Sequence, residues 1–161
     1  MSNGADNQGT IRLSVLDRLL DDDPTNSSEE LPDDAEKLRI IQRSVRRDLE
    51  DLLNTRYRCV SWPPEFNEID NSLINYGIPD FTAASLNAAD ESDFMVAAIR
   101  QAITFFEPRL INLKVSSVEN DDQYDRTFRF KIEATLIVEG GEQRVQFNSS
   151  METSTGQFDI E

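Results

Sequence analysis

Thr127-Phe128-Arg129-Phe130-Lys131-Ile132-Glu133-Ala134-Thr135-Leu136-Ile137-Val138 is the stretch on which the fold turns. Phe128, Phe130, Ile132, Ala134, Leu136 and Val138 recur at every second position, while Arg129, Lys131, Glu133 and Thr135 fill the alternate ones. A period of two marks a strand, because successive side chains leave a pleated backbone on opposite faces. One face is apolar and the other wet, the pattern of an antiparallel sheet covered on one side. Downstream, Gly140-Gly141 reads as a tight hairpin turn. Val145, Phe147, Ser149 and Met151 continue the alternation, and Phe158 with Ile160 read as a last short strand. Upstream, from Arg109 onward, Ile111, Leu113 and Val115 alternate with polar residues and read as one face of an earlier strand.

Before Arg109 the period is 3.6. A long helix is expected from about Asp33 to Leu53, with Leu38, Ile41, Val45, Leu49 and Leu52 as its apolar stripe. Pro32 suits its start, and Asp33, Asp34 and Glu36 place negative charge where the helix dipole favours it. Asn54 reads as its stop. A second helix is expected from about Asp90 to Phe106, carrying Met95, Ile99, Ala102, Ile103 and Phe106 on one side and limited by Pro108. Between the two lie a loop, Cys59-Val60-Ser61-Trp62-Pro63-Pro64, and one or two turns over Asn71 to Tyr76, ended by Gly77 and Pro79. Residues 1–10 read as a polar tail. Ile11 to Leu20 reads as a short amphipathic helix, ended by Asp21-Asp22-Asp23-Pro24, and Thr25 to Glu30 as an acidic linker. The fold class is therefore α+β, with N-terminal helices packed on a small, mostly antiparallel C-terminal sheet. Residues 1–30 are expected to form a flexible segment with a short helix, and residues 31–161 a single domain.

The 161 residues suffice for one modest core. With 31 acidic against 16 basic residues, the formal net charge is −15. Such a chain repels phosphate backbones, so nucleic acid is not an expected partner. No segment approaches the ~20 consecutive apolar residues of a membrane span, so no direct membrane insertion is expected. The N-terminus lacks the basic-then-apolar order of a signal peptide. A lone cysteine, Cys59, fits a reducing, cytoplasmic setting and a small packed role. The absence of histidine removes the commonest general base and metal ligand, and with them a Ser-His-Asp triad, a Cys-His pair or a His-containing zinc site. The acidic run Asp21 to Asp23 with Glu29-Glu30 lacks the alternating ligands and central glycine of a calcium loop. No cofactor, metal or catalytic residue is expected.

Two groups of residues are candidates for partner binding. Arg39, Arg43, Arg46 and Arg47 fall on one flank of the long helix, with Arg56 and Arg58 just beyond. They read either as neutralised by Glu36, Glu50 or the Asp21 to Asp23 run, or as a docking face for an acidic partner, because arginine suits bidentate carboxylate contacts. The second group is Glu107-Pro108-Arg109, at the helix-to-strand corner. Read from the residues alone it is a helix stop. A glutamate there meets the negative end of the helix dipole, however, and needs a cation, from Arg109 or from a partner. Trp62 and Tyr76 read as packing residues.

Several stretches, in order and spacing, resemble the TssE family of type VI secretion baseplate subunits, relatives of the phage baseplate wedge proteins once described as lysozyme-like. They are Leu13-Ser14-Val15-Leu16-Asp17-Arg18-Leu19, Leu52-Leu53-Asn54-Thr55-Arg56, Ser72-Leu73-Ile74-Asn75-Tyr76-Gly77-Ile78-Pro79-Asp80, and Ala98 to Phe106 leading into Glu107-Pro108-Arg109. The resemblance implies a structural, non-enzymatic subunit of the baseplate, at the cytoplasmic face of the inner membrane. It implies the wedge proteins TssF and TssG, the sheath subunits TssB and TssC, and TssK as partners, and a template role for the first sheath ring. It also gives Glu107 and Arg109 a part in wedge and sheath assembly, with Pro108 fixing their geometry. The competing class is a lysozyme-like glycoside hydrolase acting on peptidoglycan; a generic α+β adaptor is a third. A hydrolase needs two carboxyls across a cleft, one with a raised pKa. A cation beside a carboxylate works against that, which makes Glu107 next to Arg109 a poor general acid.

Overall fold

In the computed structural model the described residues are 34–57, 63, 65, 66, 68, 69, 72–81, 89–120, 125, 127–138 and 141–161. The elements expected at Ile11 to Leu20 and at Trp62, the role of Cys59, and the acidic linker lie outside them. Helix α1 runs Asp34–Asn54 and α2 runs Ala89–Phe106, with a short 3-10 helix at Leu73–Asn75 between them. Four strands follow: β1 Leu110–Val118, β2 Thr127–Val138, β3 Gly141–Glu152 and β4 Gln157–Ile160. They pair in chain order as an antiparallel meander. This is the expected α+β arrangement.

The alternation of β2 places Phe128, Phe130, Ile132, Ala134 and Leu136 in the core. In β3 the buried positions are Val145, Phe147, Ser149 and Met151, and in β4 Phe158 and Ile160. The ring of Phe130 stacks against Phe128 and meets Phe158 edge-on, with centroids 5.7 and 5.8 Å away. Against this face the helices lay Ile41, Val45, Leu49, Leu52 and Leu53 from α1, and Met95, Ile99, Ala102 and Ile103 from α2. Each fully buried side chain of this size contributes roughly 2 kcal/mol of hydrophobic stabilisation. Helix α2 lies against β1, while α1 lies against β4 and α2.

Strand β1 departs from the simple period. Ile111, Leu113 and Val115 do not share one buried face; Leu110 and Val115 are the buried residues. The pairing with β2 skips between Ile111 and Lys114, so Asn112 and Leu113 together stand opposite Ala134. Two residues against one is a β-bulge, which reverses the side-chain alternation beyond it. Asn112 carries it at φ 53°, a left-handed conformation that asparagine tolerates better than a branched residue.

Gly77 performs the other unusual backbone step. At φ 116° it lets the Ile78 N–H reach the Thr55 carbonyl at 3.0 Å, while Tyr57 N–H donates to the Ile78 carbonyl. A Cβ at Gly77 would stand 2.3 Å from that Thr55 oxygen. Only glycine admits this approach. It stitches the segment leaving α1 to the Tyr76–Pro79 turn, where Tyr76 packs edge-on against Phe106.

Candidate functional site

The corner is wired from within the chain. The Glu107 N–H still donates to the Ile103 carbonyl, closing the last turn of α2, and Pro108 stops the helix there. The Glu107 side chain folds back under Arg109, whose Nε donates to Oε1 at 2.6 Å and whose Nη2 donates to Oε2. The backbone N–H of Arg109 also donates to Oε1, at 3.2 Å. The guanidinium then crosses to α1, with Nη1 donating to Ser44 Oγ at 3.1 Å and Nη2 to Asp48 Oδ2 at 2.5 Å. Glu107 is 4% exposed and Ser44 5%. The cation that the helix end requires is therefore Arg109, and Glu107 presents no surface to a partner. Burial disfavours the Arg109 charge, but hydrogen bonds and charge from Glu107, then Asp48, outweigh it and hold its pKa above the ordinary arginine value. Nη2 bridges Glu107 and Asp48, so the two carboxylates do not face each other across an open cleft.

Sequence reasoning found Glu107 and Arg109 but missed Ser44 and Asp48. A signal existed: Ser44 sits beside Val45 on the buried face of α1, and Asp48 follows it at i+4. A buried polar residue one turn from a carboxylate calls for a donor from another element.

Arg39, Arg43 and Arg46 are exposed on α1, and among the described residues none of the three forms an ion pair. Arg47 parts company with them by donating to Asp48 Oδ1 at 3.0 Å. Arg43 and Arg46 line an open groove of about 380 Å³, together with Gln42, Arg144, Gln146 and Glu161. One wall of that groove is a strand edge. Strand β4 pairs with β3 only over Ser149 to Glu152, followed by the Asn148–Glu161 backbone bonds. Among the described residues no strand lies on that side of β3 from Gly141 to Phe147. Because Asn148 directs its N–H and C=O to Glu161, alternation directs those of Gln146, Arg144 and Glu142 the same way, into the groove.

Arg56 does not join this basic surface. Its Nη1 donates to the Leu53 carbonyl at 2.6 Å, its Nη2 donates to the Gly156 carbonyl, and its guanidinium lies 5.5 Å over the Phe158 ring. Burial lowers its pKa, opposed by the charge of Asp80. Among the described residues no cluster of acidic or cysteine side chains has the spacing to hold a metal ion, and no helix is long and apolar enough to cross a membrane.

The protein thus combines a two-helix cover with an antiparallel meander, joined at a Glu-Pro-Arg corner. The family described as baseplate wedge protein gp25 matches residues 39–140. The chain belongs to the gp25 baseplate wedge family. That match runs from α1 through the end of β2 and includes the corner, while β3 and β4 lie beyond it. The family gives this chain a structural baseplate role. A chain from a solved structure described as the baseplate complex from the type VI secretion system is 15% identical, with a TM-score of 0.45 over 71% of this chain and 97% of that one. Comparison with curated proteins finds no match.

Proposed function

We propose that this baseplate wedge protein is the TssE-type subunit of a type VI secretion system, joining the wedge complex and giving the first sheath ring a template. The observation that carries this reading is the β3 edge from Gly141 to Phe147, which no strand among the described residues pairs, flanked by Arg43, Arg46 and Arg144. A sheet edge offers a row of N–H and C=O groups that another chain completes by adding a strand. The arginines beside it favour an acidic partner surface through charge-assisted hydrogen bonds. The wedge proteins TssF and TssG and the sheath subunits TssB and TssC are the partners in this reading, with TssK beside them, at the cytoplasmic face of the inner membrane.

Glu107-Pro108-Arg109 acts here by holding α1, and with it Arg39, Arg43 and Arg46, in fixed register with the sheet. Glu107→Ala and Arg109→Ala would then impair sheath assembly through lost geometry. No catalysis is part of this function. Incubation of the purified protein with cell wall across a pH series tests the hydrolase alternative. No turnover is expected, and turnover abolished by changing one carboxylate would overturn the structural reading. Fluorescence microscopy of sheaths in cells carrying Arg43→Glu/Arg46→Glu/Arg144→Glu tests the template role. Sheaths are expected to be lost; normal sheaths with this variant would contradict it.

A further inference from the structure

Leu52-Leu53-Asn54-Thr55-Arg56 closes α1, and two of its polar side chains make contacts that a helix stop does not require. Glu161 exchanges both backbone bonds with Asn148, so by alternation Asp159 and Gln157 also face β3, while Phe158 directs its N–H and C=O away from the sheet. Phe158 is thus an outer rung, open to a fifth strand. A single side chain occupies both of its groups. Asn54 Nδ2 donates to the Phe158 carbonyl at 3.0 Å, and the Phe158 N–H donates to Asn54 Oδ1 at 2.8 Å. A primary amide carries a donor and an acceptor like those of a peptide group, so Asn54 reproduces one residue of a neighbouring strand. Asn54 itself is exposed while Phe158 is 1% exposed, so the amide reaches in from the surface to satisfy two groups that are otherwise enclosed. Arg56, two residues on, holds the Gly156 carbonyl and covers the Phe158 ring, pressing the β3–β4 turn toward the end of α1.

We infer that Asn54 is a one-residue edge cap that seals β4 against strand addition, with Arg56 as its positioning residue. Natural sheets guard open edges against unwanted pairing, and a side-chain amide does so without adding a strand. With the Phe158 rung closed, the outward rungs left on this side of the sheet among the described residues are Ile160 of β4 and Glu142, Arg144 and Gln146 of β3, and the last three are those a partner strand takes. That consequence rests on the proposed template role; the seal itself does not, and it is tested on the purified chain alone.

The test is Asn54→Leu in the full chain, read by residue-level amide exchange and by sedimentation velocity. In dilute solution the Phe158 amide is expected to exchange about ten-fold faster than in the parent, while Glu161, bonded to Asn148, keeps its protection. As concentration rises the variant is expected to self-associate and Phe158 to regain protection, because an added strand now takes the rung. A variant that stays monomeric at every concentration overturns the seal and leaves Asn54 as a tie between α1 and β4. Self-association without renewed protection of Phe158 overturns it equally. Should Asn54→Leu not fold, Asn54→Asp decides by the same two readings. It keeps an acceptor for the Phe158 N–H and loses only the donor, so weaker self-association with slow Phe158 exchange supports the seal, and a strict monomer contradicts it.

Discussion

Arg109 and Arg43 reach opposite faces of the same helix and meet opposite fates. Arg109 comes from the corner, finds Ser44 and Asp48 on α1 and Glu107 behind it, and is 21% exposed. Arg43, with Arg39 and Arg46, projects from the other flank of α1 and has no ion-pair partner among the described residues. The difference lies in what surrounds the charge. A guanidinium enclosed by two carboxylates and a hydroxyl serves the fold, and its removal leaves a nearly buried carboxylate unpaired. A guanidinium left in water is worth little to the fold and remains available for another chain.

The comparison breaks most visibly at Arg109. Arg109→Ala is expected to cost about 3 kcal/mol, roughly 10 °C in Tm, because Glu107 loses its only cation in the cluster. Arg109→Lys keeps a charge but not the fork that spans Glu107, Ser44 and Asp48, and should fall between. Glu107→Ala with Arg109→Ala should be scarcely worse than either alone if they act as one unit, as thermal melting of the purified variants would show. A melt within about 1 °C of the parent for Arg109→Ala would mean that the cluster is not structural.

Arg39→Glu/Arg43→Glu/Arg46→Glu is expected to do the reverse. All three positions are exposed, so Tm should move by no more than a few degrees, and circular dichroism should be unchanged. Recovery of partners is what should fall.

Arg129 supplies the intermediate case and the smallest effect. It donates to Asp125 Oδ2 at 2.6 Å and to Asn120 Oδ1 at 2.7 Å, at the surface between β1 and β2. Hydrogen bonds from Thr127, then from Arg129, hold the Asp125 carboxyl down at about 2 from its ordinary 3.8. A depressed carboxylate contributes stability that is present in full above its unfolded pKa and is lost as pH falls through the folded one. The Tm difference between the parent and Asp125→Ala should therefore be small and constant above about pH 5, and should shrink between pH 4 and pH 2. A difference that grew on acidification would reverse the sign of this linkage.

How much of this was legible in the sequence depended on the distance over which each feature is determined. Strand β2 was readable to its ends because an unbroken period of two covers it, from Thr127 to Val138. The apolar stripes of α1 and α2 were equally plain, since every residue of each stripe reappears buried or packed against the core. In β1 the period misled, because the face on which Val115 lies is reset by the bulge at Asn112, a backbone event that side-chain pattern does not record. The corner was half legible. Glu107 and Arg109 are neighbours in the chain, but their partners on α1 lie 61 to 65 residues away. Asn54 was readable as a helix stop and not as the partner of Phe158, 104 residues on. The groove was not legible, since it brings together Arg43, Arg144 and Glu161 from separate elements.

The proposed function has Arg39, Arg43 and Arg46, which form no ion pair among the described residues, facing a partner while the clamped Arg109 at the corner serves the fold. Its most direct measurement is affinity purification of the tagged chain from cells with intact type VI machinery, comparing the parent with Arg39→Glu/Arg43→Glu/Arg46→Glu at matched Tm. The parent should bring down TssF, TssG and sheath subunits, and the folded variant about a tenth as much or less. Equal recovery by the two would rule out this docking role and return the arginine flank to a solvated surface.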